Sequence, residues 1–210
     1  MIYTVEVGYI IATNAYFYID EKTNSGFLID AGAEPERLLH LINDKKFIIE
    51  KILLTHGHYD HIGAAAAIQQ KLNIPICMQK NGYTYAENPA WNLSSEFGEE
   101  IILKNVTYLE DYSEIILSAN ENFKLQIIPC SGHTTDGAIY YSESEGVAFV
   151  GDTIFKNSYG RTDLPGGDAP NLFKNINEKI FTLPADTILF SGHTPPTTVR
   201  AEKANFSRFF

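Results

Sequence analysis

"LLTHGHYDHIGAAAA" spans residues 53–67 and carries His56, His58, Asp60 and His61 between an oily run and an alanine-rich one. The run before it, "IIEKILLT", reads as a buried strand. The run after it, "DHIGAAAAIQQKLN", reads as one helix, opened by Asp60 and closed near Asn73. Four ionisable groups at such a junction would be desolvated or would repel one another if they stood alone. Neutral imidazoles and carboxylates converging on one turn are what a divalent cation needs. Asp60 as a mere helix N-cap is the simpler reading, and its three histidine neighbours outweigh it.

The spacing divides the cluster. His56 and His58 are two apart, so in an extended segment they face the same way and can grip one ion. Asp60 and His61 begin the helix, face elsewhere and suit a second ion. Each ion wants roughly four ligands, so the rest of the chain must supply more. His133 and His193 each follow a strand-like run and a Ser-Gly pair, in "CSGHTTD" and "FSGHTPP". Asp152 follows "GVAFVG", and a carboxylate between two cations can bridge them. Spacing alone leaves open which ion His133 and His193 join. His40, between Leu39 and Leu41 in mid-helix, reads as a histidine with no ligand role. Cys77 and Cys130 stand alone and read as small buried thiols.

Outward from the motif, "YTVEVGYIIATNAYFYID" alternates as strands, "EKTNSG" is a turn and "GFLIDAG" a further strand. "EPERLLHLINDKK" is a helix with Leu38, Leu39, Leu41 and Ile42 on its apolar side, "IPICMQ" is a strand, and residues 82–100 hold one short helix. The second half starts over. "FKLQIIPCSG" is a strand entering a loop, "DGAIYYSESEGVAFVGD" a hairpin, "APNLFKNINEKIFTL" a helix, and "DTILFSGHT" a strand ending on His193. Each half is thus a hairpin, a helix and a strand whose end carries histidine. Two similar halves predict an α/β architecture with a sheet-on-sheet core, helices outside and polar ligands at the strand ends. No linker rich in Gly, Pro or Ser appears, so one domain over 1–210 is expected.

The 210 residues, 44% hydrophobic and 20% charged, suit an ordinary globular domain with a real core. A net charge of −10 with 16 Lys and Arg argues against a nucleic-acid partner. The first residues lack the basic start of a signal peptide, and Glu6, Thr13 and Asn14 interrupt their apolar run. No apolar stretch reaches the roughly 18–20 residues of a membrane span. The expectation is a cytoplasmic protein acting on a small molecule, without nucleic-acid or membrane partners. Nothing in the pattern specifies an oligomeric state.

"THGHYDH", with "GH" at 133, "GD" at 152 and "GH" at 193, resembles the metallo-β-lactamase superfamily. "GRTDLPGGD" (160–168) and "GHTPPTT" (192–198) resemble the short, single-domain members of its glyoxalase II-like (hydroxyacylglutathione hydrolase-like) branch, and the likeness runs from "NAYFYID" to "EKANF". The resemblance implies a four-layer αββα sandwich of two similar halves. It implies one metal site on His56, His58 and His133 and a second on Asp60, His61 and His193, with Asp152 and a water bridging. Asp30 of "LIDAG" would buttress the site without binding metal. Two divalent ions are implied, zinc foremost, and the same donors suit iron or manganese. The implied reaction is hydrolysis of a thioester such as a hydroxyacyl-glutathione by a hydroxide generated between the ions, with Asp60 and Asp152 as the catalytic carboxylates. A thiolate leaves readily, since a free thiol has a pKa of about 8.5. An amine must be protonated, and no spare acid stands near beyond Asp60, which favours a thioester over an amide. Arg161, Tyr159 and Lys156 are the substrate-contact candidates. Arg161 comes first because a guanidinium fork can hold a carboxylate.

Other branches compete. A persulfide dioxygenase would use one iron on His56, His133 and Asp152. A lactonase or other ester hydrolase is weaker, for want of a substrate-binding insertion. β-Lactam hydrolysis is disfavoured because that class commonly places cysteine at the position matching Asp152. Full-length glyoxalase II enzymes add a C-terminal helical domain that helps hold glutathione, whereas this chain ends soon after His193 and shows Asn205-Phe206 where short members have Asn-Pro. A non-catalytic metal-binding or scaffold domain would be the reading if ligands were missing, and none is.

Overall fold

Period-two alternation in β2 (Thr13–Asp20) sends Tyr16 and Tyr18 to one face and Phe17 and Ile19 to the other, all buried. A strand buried on both faces belongs in the middle of a layered molecule, and the computed structural model, which describes residues 1–206, places it there. β1 (Ile2–Val7), β2, β3 (Ser25–Ile29), β4 (Ile48–Leu53), β5 (Ile76–Gln79) and β6 (Val106–Leu109) form one sheet in that order. Helix α1 (Pro35–Lys45) crosses from β3 to β4, which are parallel. Helices α2 (Tyr59–Ile62), α3 (Ala65–Leu72) and α4 (Tyr83–Glu87) follow in this half.

The second sheet contains β7 (Glu114–Leu117), β8 (Asn120–Pro129), β9 (Ala138–Ser142) and β10 (Val147–Gly151). A small ribbon, β11 (Ile154–Phe155) with β12 (Ser158–Tyr159), stands apart. β13 (Ile188–Ser191) and β14 (Thr197–Thr198) complete the second sheet in the order β14-β13-β10-β9-β8-β7. Helix α5 (Ala169–Asn175), widened into a π turn over Ile176–Ile180, crosses from β10 to the parallel β13. Helix α6 (Val199–Phe206) follows.

Three apolar layers hold this together. Phe17, Leu28, Leu38, Ile52 and Ile68 lie in the layer joining the first sheet to α1 and α3. Tyr16, Tyr18, Phe27, Phe123, Tyr140 and Phe149 fill the space between the sheets. Ile139, Val150, Leu172, Ile176 and Val199 join the second sheet to α5 and α6. The result is the αββα sandwich of two similar halves. Tyr18 stacks on Phe123 at 4.2 Å, a geometry worth about 0.5–1.5 kcal/mol beyond burial. No helix among the described residues is long and apolar enough to cross a membrane.

Several local expectations are corrected. The helix after the histidine turn is two helices, broken at Gly63–Ala64, where the chain passes close against Gly32: a Cβ at Gly63 would lie 2.4 Å from its carbonyl oxygen. His58, not Asp60, is the N-cap of the first, and it makes no side-chain capping bond. The helix expected over 169–183 loosens to π bonding at Ile176. β6, β7 and α6 add to the elements expected. β6 and β7 are four-residue edge strands, too short and too exposed to carry a strong period.

Candidate metal centre

Parallel pairing puts the carboxyl ends of β3 and β4 together, and likewise those of β10 and β13. Asp30 follows β3 and Thr55-His56 follows β4; Asp152 follows β10 and Gly192-His193 follows β13. The halves meet at these ends. The Ala138 N–H donates to the Thr55 carbonyl at 2.8 Å, and the Asn14 N–H to the Gly192 carbonyl at 2.7 Å. Two buried tyrosines brace the meeting reciprocally. The Tyr16 hydroxyl of the first half donates to the Ser191 carbonyl at 2.6 Å, and the Tyr140 hydroxyl of the second to the Leu54 carbonyl at 2.8 Å. Each carbonyl lies two residues before a centre histidine.

The structure brings His133 to His56 and His58, and His193 to Asp60 and His61, with ligand atoms in each group within 4.8 Å of one another. Asp152 stands between. Its Oδ1 lies 3.3 Å from His61 Nε2, and its Oδ2 lies 3.0 Å from His193 Nε2 and 3.6 Å from His133 Nε2. His58 Nδ1 faces His133 Nε2 at 2.9 Å.

Partners outside the centre fix which nitrogen faces in. His133 Nδ1–H donates to the Arg161 carbonyl at 2.7 Å and His193 Nδ1–H to the Ala12 carbonyl at 2.8 Å. His61 Nδ1–H donates to Asp30 Oδ2 at 3.0 Å. His56 Nδ1–H points to the Thr55 hydroxyl at 3.2 Å, and that hydroxyl donates to Asp30 Oδ2 at 2.8 Å. Asp30 also accepts the Thr55 N–H at 2.8 Å. Asp60 Oδ2 accepts from the Thr13 hydroxyl at 2.9 Å. Each anchored imidazole therefore turns its Nε2 inward, the arrangement by which outer partners orient metal-ligating histidines. His56 Nε2, His61 Nε2 and Asp152 Oδ1 are buried with no hydrogen-bond partner among the described residues. Buried imidazole and carboxylate atoms left without a partner are costly unless a cation lies among them, so these residues fit a pair of divalent ions.

Charge separates the two groups. Burial first, and then the neighbouring imidazoles, push His56 well down and His58 down to about 3. Burial also opposes the His61 imidazolium, but Asp60, Asp152 and Asp30 together outweigh it and raise its pKa. His193 is raised the same way, its burial outweighed by Asp152. Burial pushes Asp152 up, and His61 and His193 more than reverse this, holding it well below the carboxylate range. One group is thus built of imidazoles alone, and the other mixes imidazole with carboxylate.

Glycine is required where the ligands crowd. A Cβ at Gly192 would sit 2.3 Å from Asp152 Oδ1, and one at Gly57 would sit 2.2 Å from the Tyr85 Cβ. Tyr85 was not singled out from sequence. Its ring packs edge-on to His58 at 6.0 Å, and its hydroxyl accepts the Thr135 N–H at 3.0 Å and donates to the Pro165 carbonyl at 3.2 Å. Thr55, adjacent to His56, was legible as a polar residue ending a buried strand; Ala12 and Thr13 carried no signal.

The other expected residues fall outside this cluster. Arg161 contributes its carbonyl, while its guanidinium forks onto Asp163 at 2.7 Å in an exposed pair. Tyr159 packs its ring on Phe173 at 4.8 Å, and the Lys156 N–H donates to the Thr194 hydroxyl at 3.0 Å. His40 is exposed on α1. Cys77 and Cys130 are free and buried, and burial pushes the Cys130 thiol up to about 12.

The profile of the metallo-beta-lactamase superfamily matches residues 9–193. A Haemophilus influenzae protein described as hydroxyacylglutathione hydrolase GloC is 33% identical over 192 residues, covering 88% of this chain and 86% of its own. A crystal structure described as the BLEG-1 B3 metallo-beta-lactamase superposes with a TM-score of 0.90 at 34% identity over 97% of each chain. A second, TTHA1623 in a di-iron-bound form, gives 0.85 at 31% identity over 97% of this chain and 98% of its own.

Proposed function

The chain belongs to the metallo-β-lactamase superfamily, and from that premise we propose that it is a dinuclear metal hydrolase whose substrate is a small thioester. The observation that carries the proposal is the hinging of two ligand groups on one carboxylate, Asp152. His56, His58 and His133 would hold one cation and Asp60, His61 and His193 the other. When bound, such a pair supplies Lewis acidity, lowering the pKa of water and polarising a carbonyl. Imidazole and carboxylate donors suit zinc, iron and manganese, and the di-iron form of a 31%-identical relative supports iron beside zinc.

The chain's own residues do the rest. Asp30, Thr55 and the carbonyls of Ala12 and Arg161 hold the imidazoles in one tautomer. Asp60 retains partial exposure and is held by Thr13, which places a carboxylate at the open side of the centre. Apart from Asp30, which is committed to Thr55 and His61, the titratable side chains converging on the centre are the candidate ligands themselves. A thiolate needs no proton to leave, whereas an amine does, which supports the thioester. The 33%-identical relative described as a hydroxyacylglutathione hydrolase supports it too.

The test is elemental analysis of protein purified without added metal, followed by a panel of thioesters, a persulfide and a β-lactam. About two metals per chain and thioester turnover abolished by chelation are expected. One iron per chain with oxygen uptake on the persulfide would replace the proposal by the dioxygenase reading. A second reading, β-lactam hydrolysis, is favoured by the 34% identity to a B3 metallo-β-lactamase. It gains the lead only where β-lactam turnover exceeds thioester turnover.

A further inference from the structure

A cleft of about 680 Å³ adjoins the centre at Asp60, whose Oδ2 lies 3.3 Å from His193 Nε2. It is bounded by the loop after β1, the start of α1, helix α2 and residues 94–101. Its walls are apolar. Tyr9, Ile10 and Ile11 are 94%, 76% and 40% exposed at the loop tip, and Tyr59 stacks on Phe97 at 4.1 Å across the way. The loop is continuous with the centre, since its next residues, Ala12 and Thr13, accept from His193 and donate to Asp60.

The rim is acidic. Glu34, Glu36, Glu99 and Asp60 line the cleft, and Arg37 is the one cation among the described lining residues. That cation is spent: its Nη1 donates to Glu34 Oε2 at 3.1 Å and to the Glu6 carbonyl at 2.9 Å. Glu34 is likewise committed, to Arg37 and to the Gly8 N–H at 2.9 Å. Glu36 and Glu99 are exposed and line the cleft.

We infer that this cleft takes the uncharged, apolar arm of the substrate and turns away arms that carry carboxylates, glutathione among them. The inference rests on the thioester reading. Glutathione has two carboxylates and one ammonium, so it brings net negative charge to a rim already negative, and like charges repel there, most strongly at low salt. An apolar arm gains by covering the exposed isoleucines, roughly fourfold in affinity per buried methylene.

The experiment compares metal-loaded enzyme on thioesters of one acyl group carried by glutathione and by neutral N-acetylcysteamine, at low and high salt. The neutral carrier is expected to lead in kcat/KM by about tenfold, with the gap closing as salt screens the rim. The double variant E36K/E99K is expected to close it as well, and Ile10→Asp to lower kcat/KM for the neutral ester more than for the glutathione ester. A wild-type preference for the glutathione ester, or a ratio unmoved by E36K/E99K, overturns the inference. If neither ester is turned over, the thioester reading fails and the cleft is judged separately. Fluorescence anisotropy then compares binding of a dansylated decanoyl amide and of dansyl-glutathione. Preference for the amide, lost in Ile10→Asp, sustains the cleft's chemistry; equal binding of the two overturns it.

Discussion

Asp30 and Asp152 occupy the same station in the two halves: each follows the first strand of a parallel pair whose second strand runs on to a histidine. Their surroundings differ. Asp30 is met by donors only, the Thr55 N–H and hydroxyl and the His61 Nδ1–H. Asp152 is met by the Nε2 atoms of His61, His133 and His193, with Oδ1 left unpartnered. A repeated fold thus supplies two equivalent carboxylates, and the groups facing each one decide its task. Committed donors make Asp30 a fixture; three converging imidazoles and an unpartnered oxygen make Asp152 a position that a cation can share.

The largest effect on turnover is expected at Asp152. Asp152→Asn keeps its size and removes its charge from between the two groups. Metal content should fall from about two per chain, and kcat/KM should drop by more than the roughly 10–100-fold typical of an outer partner. Elemental analysis beside kinetics checks both together, and full metal content with full activity would remove Asp152 from the centre. Asp30→Asn comes next. Its amide nitrogen presents a donor where His61 or Thr55 already donates, so His61 turns and weakens the group it shares with Asp60 and His193. A loss of about 10–100-fold in affinity for one ion is expected, with the other retained. A titration in which Asp30→Asn costs as much as Asp152→Asn would break the contrast between the halves.

Much of this centre is legible in the sequence because its ligands are nearly contiguous or stand at strand ends. Four fall in one turn, and the Ser-Gly-His pattern at 191–193 needs its glycine because a Cβ at Gly192 would crowd Asp152 and His61. The assignment of His133 and His193 to separate groups was not legible in spacing, because it depends on how two sheets face each other. Neither were the bracing tyrosines, since Tyr16 and Tyr140 look like ordinary core aromatics and their partners lie 175 and 86 residues away. The short edge strands β6 and β7 escaped for want of a period.

The tyrosine braces sharpen the comparison with a smaller effect. Tyr140→Phe strips the buried Leu54 carbonyl of the Tyr140 hydroxyl, at a cost of about 1–3 kcal/mol. Tyr16→Phe costs less, about 0.5–1.5 kcal/mol, because Asn14 Nδ2 still donates to the Ser191 carbonyl at 3.1 Å. For a chain of this size that corresponds to a fall in Tm of about 2–4 °C per kcal/mol. Because Tyr16 holds the strand before His193 and Tyr140 the strand before His56, the two should also weaken different ions. Melting curves at stepwise metal loading distinguish them, and identical metal dependence would show that the braces serve the core alone.

Asp136 is another buried carboxylate and supplies the control for Asp30 and Asp152. Neither of its oxygens has a well-formed hydrogen bond, and burial pushes its pKa up to about 7, only partly offset by the Thr134 hydroxyl and the Gly57 N–H. The fold therefore prefers it protonated. In the unfolded chain it ionises near 3.8, so the stability it contributes is present below that pH and is lost as pH rises toward about 7. Asp136→Asn should match the wild type in Tm near pH 4 and exceed it at pH 8, by about 2–4 °C for each kcal/mol recovered. Turnover should change least of all, because this carboxylate neither orients a histidine of the centre, as Asp30 does, nor faces the Nε2 atoms of three, as Asp152 does. Thermal melts of metal-free protein across that range provide the check. A Tm difference that stays flat from pH 4 to pH 8 would mean that Asp136 is ionised and partnered in the fold, and burial alone would no longer separate it from Asp30.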